Sequence, residues 1–210
     1  YTIQLCENRA DITAESNGPK TYIGGIAGYA CRANFNNAEN RGDIVLTDEG
    51  CKSGRYIGGI VGDFYSRDYE TTYIRLHNYG QILLSSKQTY TQVGGVIGHM
   101  FEANYVIITF QNCSNNVPLG QKTTISTDVG GIIGYFQGTN KTDLSRLDFI
   151  NCSQTGNISG ITYAGGLAGD VSAGGHIEKN CTYNGYTYTN GTQSQYGTPL
   201  LGNVHATTSW

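Results

Sequence analysis

Hydrophobic residues in this chain fall in short runs closed off by Gly or Asn. Ile44-Val45-Leu46-Thr47, Ile82-Leu83-Leu84 and Tyr105-Val106-Ile107-Ile108-Thr109-Phe110 are examples. Apolar runs of that length, bounded by turn formers, read as β-strands. No window carries a sustained 3.6-residue period with a helix cap, so little helix is expected.

The runs recur with a period. Gly-Gly-apolar-apolar-Gly occurs at 24–28, 58–62, 94–98, 130–134 and 165–169, with starts 34, 36, 36 and 35 residues apart. A degenerate copy, Thr198-Pro199-Leu200-Leu201-Gly202, follows after 33 residues. A looser element lies between the pentapeptides. It reads Cys6-Glu7-Asn8-Arg9-Ala10-Asp11-Ile12, Ala38-Glu39-Asn40-Arg41-Gly42-Asp43-Ile44 and Leu76-His77-Asn78-Tyr79-Gly80-Gln81-Ile82 in the first units. Later copies start at Cys113, Cys152 and Cys181. Each unit therefore holds two turn signals and two or three short strands.

A unit of that size cannot bury its own apolar face, whereas stacked units can. The expected fold is all-β: a parallel β-solenoid, β-helix-like, of about six coils of about 35 residues spanning 1–210 as one repeat domain. Right-handed coiling is the general preference. A β-propeller is the competing fold, but its blades need about 40–45 residues. Stacking at about 4.8 Å turns equivalent positions into ladders. Ile26, Ile60, Val96, Ile132 and Leu167 would form one. Cys6, Ala38, Leu76, Cys113, Cys152 and Cys181 would form another, with the thiols as small buried hydrophobes. The pentapeptide glycines have two readings: close packing of a facing segment, or a corner that needs positive φ.

Composition narrows the function classes. The 210 residues include 30 Gly, 16 Tyr and 3 Pro, with 14% charged residues and a net charge of −3. Nucleic-acid binding would require a basic stripe, which is missing. A disordered chain would be poorer in aromatics. No apolar run reaches the ~18 residues of a membrane helix, so no membrane span is expected in this segment.

The Gly-Gly-apolar-x-Gly core, followed by Asn-Cys and then Gly-x-Ile, resembles the GLUG-motif repeats. These occur in large bacterial surface proteins, including adhesin-like proteins of the Bacteroides group and non-catalytic parts of some IgA-cleaving metalloproteases. The similarity runs from Cys6 to about Gly202. It implies a β-helix-like stack at the extracellular bacterial cell surface and no defined chemistry.

The glycines lack the Gly-Lys-Ser/Thr ending and following helix of a phosphate loop. His77, His99, His176 and His205 lie far apart, and no Cys-x-x-Cys pair is present, so neither a metal centre nor a cofactor is expected. A surface calcium held by Asp and Asn in a turn stays open. Tyr29, Asp63, His99, Tyr135 and Asp170 follow the five pentapeptides, which would place Asp63 and His99 about 5 Å apart on adjacent strands. That pair reads as solvent-exposed and worth under about 1 kcal/mol, rather than as an acid/base pair. Arg9, Asp11, Arg41 and Asp43 read as a surface charge lattice with diagonal Arg-Asp contacts. Cys31 and Cys51 are candidates for a disulfide closing a loop of about 20 residues. The six Asn-x-Ser/Thr sequons are read as coincidence in an Asn-rich repeat.

Tyrosine carries the binding hypothesis. Tyr22, Tyr56 and Tyr163 precede pentapeptides, and Tyr183 and Tyr186 cluster near the end; such a ridge can stack on sugars or peptides. The leading expectation is a non-enzymatic surface module, an adhesin-like stalk or spacer with no catalytic residue. A carbohydrate- or protein-binding module using the Tyr ridge, with a host or bacterial surface protein or glycan as partner, is the alternative. A polysaccharide-active β-helix enzyme comes third. Both chain ends fall inside repeat units, so a piece of a longer protein is expected.

Overall fold

The computed structural model describes residues 1–15, 18–47, 54–66, 70–84, 90–102, 107–120, 127–138, 146–172 and 175–204. They form a parallel β-solenoid of about five turns. Each turn visits four faces, named A to D here. Face A holds Thr2–Asn8, Asn34–Asn40, Glu70–Asn78, Ile107–Gln111, Arg146–Ile150 and Gly175–Lys179, continued by Ser114–Asn115, Ser153–Thr155 and Thr182–Asn184. Face B begins with Ile12–Glu15, Ile44–Thr47 and Ile82–Leu84 and continues with Ile158–Gly160 and Thr187–Thr189. Face C comprises Thr21–Gly24, Arg55–Gly58, Thr91–Gly94, Asp128–Gly130 and Tyr163–Gly165. Face D comprises Ala27–Cys31, Val61–Ser66, Ile97–Glu102, Ile133–Gly138, Ala168–Ser172 and Leu201–Val204.

Both expected ladders are present. The backbone N–H of Ile26, Ile60, Val96, Ile132 and Leu167 donates in turn to the carbonyl of Ile60, Val96, Ile132, Leu167 and Leu200. In the second ladder Cys6 pairs with Ala38, and Ala38 with Leu76. Cys113 and Cys152 carry it on, fully buried, and their thiols donate to the carbonyls of Tyr73 and Phe110 in the neighbouring coil. The hydrogen bond with Cys113 pushes the Cys152 thiol up to about 12, so it stays protonated.

The solenoid has two cores divided by a waist. The larger lies between faces A and D and contains Phe35, Phe64, Tyr73, Phe110, Phe136 and Phe149. The smaller lies between faces B and C and contains Ile44, Ile57, Ile82, Val93 and Val129. A hydrogen-bonded line of amides forms the waist. Asn8 Nδ2 donates to Asn40 Oδ1 (2.7 Å), Asn40 to Asn78 (2.9 Å), Asn78 to Asn115 (2.7 Å) and Asn115 to Gln154 Oε1 (2.7 Å). Each of the four Asn amides also donates to a carbonyl two residues on, such as Gly42 O and Gly80 O. Buried amides are thus satisfied along the whole row, as a low-dielectric interior requires.

This row decides between the two readings of the glycine pair. No pentapeptide glycine has positive φ, whereas Gly54, Gly120, Gly156, Gly191 and Gly197 do. The pair is a close-packing device. A Cβ on Gly25 would lie 2.5 Å from Asn40 Oδ1, and one on Gly58 would lie 2.7 Å from Val96 O. The true left-handed corner lies elsewhere, at Leu5, Asn37, Arg75, Asn112, Asn151 and Asn180, with φ of 52° to 56°. Asn tolerates that region best among residues with a side chain, which accounts for the recurring Asn-Cys step.

The sixth coil is reduced. Leu201 pairs with Ala168 on face D, but no face C strand follows Tyr163–Gly165 among the described residues. Thr192–Gln193 instead turns back antiparallel onto Thr187–Thr189. Thr198 and Pro199 stand where the glycine pair would be, and proline has no N–H to give the ladder. Tyr183, in register with Gln154, ends the amide row.

Candidate functional site

At each pentapeptide the chain folds face D back against face C. The third glycine permits this: a Cβ on Gly62 would meet Ile23 N at 2.5 Å. Two in-register rows then face one another along a seam. The face C row is Tyr22, Tyr56, Gln92, Asp128 and Tyr163. The face D row is Tyr29, Asp63, His99, Tyr135, Asp170 and Asn203. A face C residue meets the face D residue of the following coil, as Tyr56 and His99 do with ring centroids 4.5 Å apart and planes 23° apart.

Asp63 and His99 are neighbours, as their spacing implies, but the pair is not solvent-exposed. Asp63 is 8% and His99 6% exposed. His99 Nδ1 meets Asp63 Oδ1 at 2.7 Å. Tyr56 stacks on one side of the imidazole and Tyr135 approaches at 5.4 Å. Adjacency follows from the strand spacing, but the fold-back at glycine covers the face D surface that carries the pair and buries it.

Two coils further on, the seam holds carboxylates on both sides. Asp128 is 5% and Asp170 7% exposed. Asn203 Nδ2 donates to Asp170 Oδ1 at 2.9 Å. Asp128 Oδ2 receives a long 3.4 Å contact from Gln92 Nε2, and its Oδ1 is buried with no hydrogen-bond partner. Burial, reinforced by the charge of Asp170, raises the Asp128 carboxyl to about 7, against the opposing Gln92 contact.

The proposed tyrosine ridge divides. Tyr22 stacks on Tyr56 at 5.6 Å and lies 5.8 Å from Tyr29. Tyr163 shares their row, separated by Gln92 and Asp128. Tyr183 is not a surface residue: it is 5% exposed and packs into the smaller core. Tyr186 packs edge-on against Tyr196, ring centroids 5.2 Å apart, outside the seam. Cys31 is exposed at the end of its face D strand; its proposed partner Cys51 lies outside the described residues, as does His205.

The charge lattice on face A also differs from expectation. Arg9 pairs with Glu7 (2.8 Å), and Arg41 bridges Glu7 (3.0 Å) and Glu39 (2.7 Å) while covering the Tyr79 ring at 4.6 Å. Asp11 and Asp43 do not pair with arginine there. They accept the backbone N–H of Asp43 and Gln81 in the next coil, each at 2.8 Å. These exposed ion pairs line an open groove of about 450 Å³ with Arg75 and His77. His77 Nδ1 lies 2.8 Å from Ser114 Oγ, and burial holds the imidazole below its usual range. Both carboxylates in this groove pair with arginine, and the charge of Glu39, in register with His77, opposes the effect of burial on the imidazole.

No family model, curated protein or solved structure matches this chain. Among the described residues no helix is long and apolar enough to cross a membrane.

Proposed function

We propose that the chain is a non-enzymatic structural module, a stiff adhesin-like spacer displayed at a bacterial cell surface. The amide row Asn8–Asn40–Asn78–Asn115–Gln154 carries this reading. It ties the first five coils to one another through satisfied hydrogen bonds, buried from Asn40 onward, a way to make a column rigid rather than to shape a cleft. The GLUG resemblance supports the surface location. The column rises only about 4.8 Å per turn, so it adds stiffness and width more than reach.

Surface labelling of intact producing cells with an antibody to this chain, paired with force spectroscopy of the chain between handle domains, tests the reading. The expected result is labelling without permeabilisation and a cooperative high-force rupture. Labelling only after lysis, or gradual low-force unravelling, would reject it. The binding alternative draws support from Tyr29, 54% exposed beside Tyr22 and Tyr56. A glycan array on which Tyr29→Ala and Tyr22→Ala bind like the parent would dismiss it.

A further inference from the structure

We propose that the face A groove binds the carboxylate of an acidic sugar, held by Arg75 and the Nε2–H of His77. Charge is the first ground. The groove draws its walls from three successive coils and holds three arginines and two glutamates. Arg9 and Arg41 are engaged by Glu7 and Glu39. Arg75 is exposed and has no carboxylate partner among the described residues.

The second ground is conformational. Arg75 sits on the left-handed corner with φ of 55°, where four of the six coils carry Asn: Asn37, Asn112, Asn151 and Asn180. Asn settles there because its short amide can bond to the nearby backbone, which arginine does not do. A strained position kept without a structural partner points to function. The other departure from Asn, Leu5, lines the same groove and is 79% exposed.

His77 supplies the third ground. Asn116 Nδ2 donates to Ser114 Oγ at 3.0 Å, which leaves the Ser114 hydroxyl proton for His77 Nδ1 at 2.8 Å. Burial, opposed by the charge of Glu39 and aided by that of Arg75, holds the imidazole below its usual range. It is neutral at pH 7 and carries its proton on Nε2. A guanidinium beside an N–H donor suits a carboxylate. Glu7 and Glu39 border the groove as acceptors. They repel a doubly charged phosphate or a run of acidic side chains, but accept from hydroxyls. A carboxylate flanked by hydroxyls, as in a uronic acid, meets both demands, and Leu5 offers an apolar contact for the ring C–H groups.

Titration of the intact chain with trigalacturonic acid at low salt, followed by calorimetry and by the His77 ring signals in NMR, is the test. Saturable binding with a Kd of about 1 mM is expected, with none for the neutral trisaccharide of galactose. Arg75→Asn installs the residue most other corners carry, so it should keep the melting temperature or raise it while weakening binding at least about tenfold. Arg75→Gln, long but uncharged, should weaken binding alike and stands in if the Asn variant alters the fold. Arg32→Asn, at positive φ but outside the groove, should change nothing. No saturable binding up to about 10 mM, undiminished binding by both Arg75 variants, or tighter binding of triglutamate than of trigalacturonate would overturn the proposal. The spacer reading stands or falls separately, since it does not depend on this groove.

Discussion

The Asp63–His99 and Asp128–Asp170 pairs lie in one seam, the first joining neighbouring coils of face D and the second facing C against D, where Tyr56 and His99 meet two coils earlier. All four residues are under a tenth exposed. One rung pairs an acid with a ring nitrogen at 2.7 Å and is complete. The other sets acid against acid and leaves an oxygen without a donor. The repeat fixes where side chains meet, while their identities decide whether the meeting is favourable. A repeat fold can thus carry a local electrostatic conflict without changing its backbone.

The largest predicted effect removes the fold-back beside the Asp63–His99 pair. Gly98→Ala places a methyl 2.7 Å from Gly62 O, and close also to Ile57 N. Backbone cannot yield there cheaply, so a loss of about 4 kcal/mol or more is expected in chemical denaturation. His99→Ala strips the first rung of its donor and strands Asp63, costing about 2–4 kcal/mol; His99→Gln should recover part of this. In the second rung the sign reverses. Asp128→Asn removes the conflict and should stabilise the chain by about 1–3 kcal/mol above neutral pH. An equal loss in both rungs would erase the contrast.

The pH profile sharpens it. The folded state holds the Asp128 proton up to about 7, against 3.8 for the unconstrained carboxyl. Between those values the folded chain binds more protons than the unfolded one, so stability falls as pH rises. The contribution is fully favourable below pH 4 and is lost through about 7. Asp128→Asn should flatten this limb in thermal melts at stepped pH; an unchanged slope would mean another group is responsible. The smallest effect belongs to face A. Arg41→Ala breaks exposed, solvent-screened ion pairs and a ring contact, and the denaturation midpoint is expected to stay essentially where it is.

The pentapeptide period exposed the fold class, the parallel register and both apolar ladders, because equivalent residues in a stack must be alike. The amide row was less legible. Asn8, Asn40, Asn78, Asn115 and Gln154 each follow a ladder residue by two positions, a signal open to notice. An Asn-x-Gly step also reads as a turn, however, and turns and ladders ask for the same residue. Tyr183 follows Cys181 by the same two positions and Tyr186 does not, so the signal that marks the amide row also separates the buried tyrosine from its neighbour.

The sequence alone determined that this chain stacks and which residues share a rung, since both follow from spacing. Only the tertiary structure decided that faces C and D close on each other. That closure depends on backbone atoms approaching across a missing Cβ, a contact between coils that no linear pattern records. From it come the burial of Asp63 and His99, the confrontation of Asp128 with Asp170, and the chemistry the seam can hold.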